Sequence, residues 1–282
     1  RSENPELSGD AGAGVYATIT AAIADLNNRG VSGAVRFLLL DATYPSETLP
    51  IIVSPISGAS GSNTVTLKPN TGVTSSISGS ASAGPVFNIN SSYFTIDGSN
   101  TANGTTRDLT IQNTSITTPQ VVRLSSIGVT PIVESGIKNC ITINGVNTSS
   151  AIVLIDNGGS LAGYFNNITI QNNDVRKAYV GIYSFAIVSA GNGSGLLISS
   201  NSVNSTGVDQ IRNVGIYLQG IDGATVTGND VGNFETATGE NDRGIWLATA
   251  TKNVVIEKNV VHDIVYTGTA GYAGKGVSIS TG

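Results

Sequence analysis

The second half of the chain repeats a short pattern of apolar and polar positions. Each copy reads x-x-[Ile/Val]-x-x-Asn-x-Val, so apolar and polar residues alternate up to an Asn that suits a turn. The copies are Ile168–Val175, Leu196–Val203, Ala224–Val231 and Val254–Val261. They recur every 28 or 30 residues. The alternation predicts a short β-strand in each copy, and self-similarity at a constant period is typical of a solenoid.

A second motif, Gly followed by Ile or Val, alternates with the first. Its copies begin at Gly181, Gly215, Gly244 and Gly276. Each cycle therefore contains at least two short strands separated by turns rich in Gly, Asn and Asp. A leucine-rich repeat shares an Asn-containing core, but it requires a Leu scaffold and a helical return, whereas the apolar positions here are mostly Ile and Val. We therefore predict an all-β, right-handed parallel β-helix whose inward Ile and Val side chains stack along the axis.

One Asn recurs at the same position of every copy. These residues are Asn173, Asn201, Asn229 and Asn259. In a parallel β-helix, equivalent positions of successive turns lie above one another, as identical side chains do in cross-β stacks. We therefore predict a structural Asn ladder in which each side chain hydrogen-bonds to its neighbours above and below.

The first hundred residues have a different pattern. Thr18–Asn27 carries apolar residues at helical spacing, Thr18 suits the N-cap position, and Gly30 follows as a stop. Because the end of a solenoid exposes unpaired strand edges, we expect a helix over residues 18–29 to cap that end.

The two ends of the predicted β-helix differ. We assign residues 1–90 to an N-terminal cap, made of this helix and the first strands, and residues 91–282 to one continuous domain of β-helix turns. Gly276–Gly282 reads as the opening strand of another turn, with no capping element after it. We interpret the C-terminal end either as truncated or as covered by a partner. In the second case, self-association through the solenoid ends would build a head-to-tail assembly.

Composition narrows the class of function. Charged residues make up 12% of the chain and the net charge is −5, whereas a typical domain is about 25% charged. The low charge excludes a coiled coil, and the 39% hydrophobic content excludes a disordered chain. We predict no membrane span, because no apolar stretch reaches about 18 residues, and no nucleic-acid partner, because Lys and Arg are few. The single Cys excludes a disulfide framework and a Cys-rich zinc site, and we predict no metal and no cofactor.

Several stretches resemble a known group of proteins. They are Tyr16–Lys68, FTIDGSN from Phe94, RDLTIQNTS from Arg107, IKNCIT from Ile137, ITIQNN from Ile168 and KAYVGIYS from Lys177. They are similar to secreted right-handed parallel β-helix surface proteins of Bacteroidetes and Ignavibacteria-type bacteria, which have a pectin-lyase-like fold. The resemblance implies a secreted, extracellular or cell-surface protein, usually a substrate of the type IX secretion system. It implies no particular activity, because most members have none established.

The one histidine of the chain is a candidate catalytic base. His262 lies beside Asp263 in VVHDIV, and a carboxylate that orients an imidazole is a common general-base arrangement. However, neighbouring residues on a strand point to opposite faces of the sheet. We therefore expect His262 to be a surface or turn histidine rather than a catalytic one.

Two aspartates form the second catalytic candidate. Asp174 and Asp230 occupy the same repeat position two turns apart, with Ser202 between them and Val260 after them. Strands stack about 4.8 Å apart, so the two backbones should be roughly 10 Å apart. Inverting glycosidases hold their carboxylates about 6.5–9.5 Å apart. The alternative, which we favour, is that both are turn residues beside the Asn ladder.

Most charges of the repeat region fall in the loops that lead into the Gly-Ile strands. The candidate ligand edge consists of Arg176, Lys177, Asp209, Arg212, Glu240, Asp242 and Arg243. Tyr183, Tyr217 and Trp246 lie nearby in sequence and could offer stacking surfaces. The pattern allows a groove for a polar polymer such as a polysaccharide, or simply solvated turns with packed aromatic residues.

Three functions are compatible with this sequence. The first is a non-catalytic extracellular or cell-surface β-solenoid with a structural or adhesive role, self-assembling head-to-tail into a fibre. The second is a polysaccharide lyase or glycoside hydrolase, for which only the fold argues. The third is a carbohydrate-binding module that uses the charged edge. We favour the first, because the motifs found are those of a scaffold.

Overall fold

The chain folds as a parallel β-solenoid. The computed structural model describes residues 6–7, 14–128, 130–155 and 165–280, with the backbone only at 6–7. Over these residues the chain has one α-helix, α1 (Ile19–Arg29), one short 3-10 turn (Gly207–Asp209), and three long β-sheets that wind through eight turns. We call the three sheets A, B and C.

The strands in chain order are β1 (Glu6–Leu7), β2 (Val15–Tyr16), β3 (Val35–Leu39), β4 (Ile51–Val53), β5 (Val65–Pro69), β6 (Ser75–Gly79), β7 (Phe87–Ile89), β8 (Phe94–Asp97), β9 (Leu109–Asn113), β10 (Val122–Ser125), β11 (Ile132–Val133), β12 (Gly136–Lys138), β13 (Cys140–Ile143), β14 (Ile152–Ile155), β15 (Phe165–Asn166), β16 (Thr169–Gln171), β17 (Asp174–Arg176), β18 (Val180–Phe185), β19 (Leu197–Ser199), β20 (Ser202–Val203), β21 (Val214–Gln219), β22 (Thr225–Thr227), β23 (Asp230–Thr236), β24 (Asp242–Leu247), β25 (Val255–Glu257), β26 (Val260–Tyr266) and β27 (Gly274–Ile279).

From β5 onward, each turn supplies one strand to each long sheet. The order is β2-β1-β3-β5-β8-β12-β16-β19-β22-β25 in sheet A, β6-β9-β13-β17-β20-β23-β26 in sheet B, and β4-β7-β10-β14-β18-β21-β24-β27 in sheet C. A further pair, β11 with β15, joins two loops. Neighbouring strands in all these sheets are parallel. The predicted all-β parallel solenoid is therefore confirmed. Its right-handed winding remains a prediction, based on the strong preference of parallel crossovers for that hand.

The core is a stack of aliphatic side chains at equivalent positions of successive turns. In sheet A, one inward column runs through Ile96, Ile137, Ile170, Ile198, Val226 and Ile256. All are completely buried except the last, which is half-buried in the eighth turn. Burying such a side chain contributes about 1.5–3 kcal/mol. The apolar third position of the sequence repeat is therefore this inward column.

The chain passes from sheet A to sheet B through one residue in the left-handed conformation in each of five successive turns. We call this the A–B corner. The residues are Asn139, Asn172, Ser200, Gly228 and Lys258, with φ between 51° and 64°. Gly reaches this conformation without a steric penalty and Asn at low cost, which accounts for three of the five. The next residue in the last four of these turns is the repeated Asn.

The N-terminal helix forms where the sequence predicts it. The Thr18 hydroxyl caps α1 by accepting from the Ala21 N–H at 3.0 Å, and the chain leaves the helix through Gly30 at φ 67°. The Glu47 carboxylate also accepts from the backbone N–H groups at the start of the helix, which favours negative charge there. The buried face of α1, which includes Ile19 and Ile23, joins the same apolar core as the strands.

The solenoid begins earlier than the predicted boundary at residue 91. Val35, Val65 and Phe94 are direct neighbours across β3, β5 and β8 in sheet A. Residues 35–90 therefore already form turns of the solenoid. They lack the Asn-containing repeat, but backbone pairing between parallel strands does not depend on that motif, so the sequence pattern missed these turns.

The eighth turn is open on one side. Within the described part of the chain, strands β25, β26 and β27 are the last of their sheets, and each pairs with one neighbour. Val255, Val260 and Ile279 are 51%, 59% and 67% exposed, whereas Leu247, the neighbour of Ile279 in the seventh turn, is only 7% exposed. The two ends of the described solenoid therefore differ: helix α1 lies near the first turns, and strand edges are uncovered at the last. None of the helices in the described residues is long and apolar enough to cross a membrane.

Candidate functional site

The predicted charged edge lies at the corner where the chain passes from sheet B to sheet C, which we call the B–C corner. The structure places its seven residues in three successive turns. Arg176 and Lys177 end β17 and follow it, Asp209 lies in the 3-10 turn, Arg212 precedes β21, Glu240 precedes β24, and Asp242 and Arg243 begin β24. The Lys177 N–H donates to the Asp209 carbonyl at 2.6 Å, so neighbouring turns are in direct contact here.

An ion pair at the centre of this corner links three turns. The Arg212 guanidinium binds both oxygens of Glu240, at 2.8 and 3.3 Å, and Tyr179 donates its hydroxyl to the same carboxylate at 3.2 Å. The guanidinium also lies over the Tyr179 ring, 5.3 Å from its centre. Burial, followed by the charge of Glu240, raises the pKa of Tyr179. These side chains therefore satisfy one another across turns five, six and seven.

Asp242 is a buried acid beside this ion pair. Its side chain is completely buried. Among the described residues, Oδ2 has no hydrogen-bond partner, and Oδ1 has only a long contact of 3.5 Å from Asn213. Burial, and then the negative charge of Glu240, raises the pKa of Asp242 to about 7. The carboxyl is therefore mostly protonated below pH 7 and mostly ionised above it. The sequence pattern carries no signal for the burial of Asp242, so the residue was grouped with the charged side chains of this edge.

The aromatic residues of sheet C pack on one another. The Tyr183 and Tyr217 rings are 5.0 Å apart and nearly parallel, and Trp246 meets Tyr217 edge-on at 5.0 Å. The Arg243 guanidinium covers the Trp246 ring at 3.8 Å. Sequence reasoning missed Phe185, which stacks with Tyr183 two residues away on the same strand. Because the Tyr183 and Tyr217 rings face one another and Arg243 covers a face of Trp246, these contacts hold neighbouring turns together and leave fewer ring faces free for a ligand.

Asp174 and Asp230 occupy equivalent positions two turns apart, and different side chains bind their carboxylates. They lie in one outward column of sheet B, separated by Ser202. Each carboxylate has its own partners: Arg176 donates to Asp174 at 3.1 Å, whereas Asn204 donates to Asp230 at 2.8 Å. The hydrogen bond to Asp174 raises the pKa of Arg176. This arrangement favours structural roles for both aspartates.

The expectation that His262 and Asp263 lie on opposite faces is wrong. His262 Nδ1 is 2.8 Å from Asp263 Oδ2, and Nε2 is 3.0 Å from Asp230 Oδ1 in the preceding turn. The strand bends at Asp263, whose φ of 47° breaks the alternation of side chains. The two carboxylates raise the pKa of His262, Asp263 most of all. With both nitrogens occupied, the ring is poorly placed to act as a general base.

The repeated Asn residues form a continuous hydrogen-bonded column. The Oδ1 atoms of Asn201, Asn229 and Asn259 each accept from the backbone N–H of the Asn one turn earlier, at 2.9–3.0 Å. Each of the same oxygens also accepts from the side-chain amide of that residue, at 2.8–3.0 Å. The column extends one turn beyond the sequence repeat, because Asn173 Oδ1 accepts from the Cys140 N–H. Burial raises the pKa of the Cys140 thiol, which keeps it unreactive.

A polar cleft lies at the B–C corner. Its volume is about 280 Å³, and it is lined by Asn147, Gly207, Gln210, Arg212, Glu235, Thr236 and Thr238. Among the residues that the structure describes, no group of three or more His, Cys, Asp or Glu side chains is arranged to hold a metal ion. No protein-family profile, curated protein or solved structure matches the chain.

Proposed function

We propose that the chain is a non-catalytic extracellular or cell-surface β-solenoid with a structural or adhesive role. One observation carries the proposal: several polar and aromatic side chains at the candidate sites bind side chains of the neighbouring turn. The Arg212–Glu240 pair, the stacked Tyr183 and Tyr217 rings, and the Asn column all run along the solenoid axis.

A rigid spacer requires this kind of cohesion. Seven steps of about 4.8 Å between eight turns give a rod roughly 34 Å long. From the second turn onward, neighbouring turns are held by three strand pairings and a buried aliphatic column, with side-chain columns at the corners of the later turns. Secretion and cell-surface location, which the family resemblance implies, are part of the proposal.

The experiment that tests the role is a search for turnover. The purified chain is incubated with a panel of neutral and acidic polysaccharides, and new reducing ends and unsaturated products are measured. A scaffold is expected to leave every polysaccharide intact. Turnover that disappears in the Asp230→Asn variant and survives in Thr71→Ala, a change at an exposed residue outside the polar cleft, would show that the chain is an enzyme.

The polar cleft favours a second candidate function, a carbohydrate-binding module. Amide, hydroxyl and guanidinium groups of Gln210, Thr238 and Arg212 line it, and these groups suit the hydroxyls of a saccharide. Titration with neutral and acidic oligosaccharides, followed by calorimetry, tests this candidate. Binding is expected to weaken in Gln210→Ala and to be unchanged in Gln112→Ala, which alters a half-buried Gln of β9 outside the cleft. Equal binding by both variants would reject it.

Self-association through the solenoid ends is a further part of the proposal. The uncovered edges of β25, β26 and β27 provide unpaired backbone groups, whereas α1 lies beside β4 near the first turns. Sedimentation at increasing protein concentration should reveal oligomers that disappear in a Val260→Lys variant. A monomer at every concentration would reject assembly and leave a scaffold of single chains.

A further inference from the structure

His262 is held between two carboxylates that belong to different turns. Nε2 contacts Asp230 Oδ1 of β23 in the seventh turn at 3.0 Å, and Nδ1 contacts Asp263 Oδ2 in its own turn at 2.8 Å. The backbone register places Gly232 directly beside His262. The side chain thus reaches across the strand pairing and joins β26 to β23.

The surroundings of the ring are built to hold it in place. A Cβ atom at Gly232 would lie 2.7 Å from both Cε1 and Nε2 of His262, so the space that the ring occupies depends on glycine. Asp230 is fixed on its other side, because Asn204 donates to Oδ2 at 2.8 Å. Asn204 is itself held through its carbonyl, which accepts from the Asn233 side chain at 2.6 Å.

The chemistry of imidazole makes this arrangement depend on a proton. A neutral ring has one N–H and one lone pair, so it can donate to only one of two carboxylates. The protonated ring donates from both nitrogens and matches both partners. When the ring loses this proton, one of its nitrogens presents a lone pair to a carboxylate oxygen, and the two repel each other.

The site can exchange protons with water. The side chains of His262, Asp230 and Asp263 are 33%, 50% and 71% exposed. Among the described residues, Asp263 and Asp230 are the charged groups that act on the ring. The other charged side chains of the strands around β26 are Glu235 on β23, Asp242 and Arg243 on β24, Glu257 on β25 and Lys275 on β27.

We propose that His262 is a proton-dependent clamp between the seventh and eighth turns of the solenoid. When His262 is charged, it holds β26 against β23. When the proton leaves, this edge of the eighth turn loosens while the inner turns stay packed. The clamp goes beyond the scaffold role and does not depend on it.

A pH titration of the intact chain tests the clamp, and His262 is the only histidine, so its imidazole signals in NMR spectra are unambiguous. We expect its pKa to lie above the ordinary value of about 6.5. We also expect the hydrogen-exchange protection of β26 amides, corrected for intrinsic exchange, to fall ~3-fold or more as the ring deprotonates. Protection in the inner strand β16 should not change over this range.

Two isosteric variants and a control complete the experiment. Asp230→Asn and Asp263→Asn should each lower the pKa of His262 and reduce the pH dependence of β26 protection. Asp174→Asn, in the same column two turns away, should change neither. The proposal would be overturned by a His262 pKa at or below the ordinary value. It would also be overturned if the hydrogen-exchange protection of β26 does not change as His262 loses its proton.

Discussion

The Asn column makes a strong prediction about stability. Asn201 is 1% exposed and makes four side-chain hydrogen bonds. Its Oδ1 accepts from the N–H and the side-chain amide of Asn173, and its Nδ2 donates to the Ile170 carbonyl and to Asn229 Oδ1, all at 2.9–3.0 Å. In Asn201→Ala, all four bonds are lost at a site that water does not reach.

The magnitude follows from the groups that lose their partner. The Asn173 N–H and the Ile170 carbonyl lose the side-chain bond that Asn201 supplies. Asn173 Nδ2 keeps a bond to the Ile137 carbonyl, and Asn229 Oδ1 keeps the Asn201 N–H. An orphaned buried polar group costs about 1–3 kcal/mol. The Asn173 N–H is left without a partner, whereas the Ile170 carbonyl lies within the strand pairing of β16 with β19, so the expected loss in the free energy of unfolding is roughly 1–3 kcal/mol.

Chemical denaturation followed by circular dichroism measures this loss. Asn147→Ala is the matched control, because Asn147 is exposed and outside the column, and such a surface change should stay within about 0.5 kcal/mol. Asn201→Asp should be worse than Asn201→Ala at neutral pH, because it places a carboxylate against the Ile170 carbonyl and Asn229 Oδ1. If Asn201→Ala is no more destabilising than Asn147→Ala, the column does not stabilise the solenoid and the reasoning is refuted.

Three other expectations concern stability. Folding raises the pKa of Asp242 to about 7 from its unfolded-state value of about 4. The free energy of unfolding should therefore fall by up to roughly 4 kcal/mol as pH rises from about 4 to about 7, and Asp242→Asn should remove much of this fall. Equal stability in chemical denaturation at pH 5 and pH 8 would contradict this expectation. Tyr217→Ala should lower the free energy of unfolding by about 2–4 kcal/mol and Tyr217→Phe by much less, because Phe keeps the ring that contacts Tyr183 and Trp246. Equal losses of stability for the two variants in thermal unfolding would show that ring packing is not the cause. Thr18→Ala should lower the free energy of unfolding by about 1 kcal/mol and Thr18→Ser should change it little, since the Ser hydroxyl can still cap α1. Similar hydrogen exchange of the α1 amides in both variants would argue against capping by Thr18.

Side-chain pairing at the candidate site depended on details that patterns do not contain. The alternation of side chains along a strand predicts that His262 and Asp263 point to opposite faces. In the structure, the bend at Asp263 brings the two side chains into contact. The residues of the charged edge lie at one corner, and some of their side chains bind one another, as Arg212 does with Glu240. The aromatic residues were found, but only the register of sheet C shows that Tyr183 stacks on Tyr217.

The sequence by itself determined the solenoid, its inward column, the N-terminal helix and the register of the Asn column. These features repeat or are local, so spacing and capping signals are sufficient to predict them. The tertiary structure alone decided where the first turns begin, the raised pKa of Asp242 and the contacts of His262. Each of these depends on what a neighbouring turn places next to a side chain, and that neighbour is typically about thirty residues away in the chain, as Asp230 is from His262.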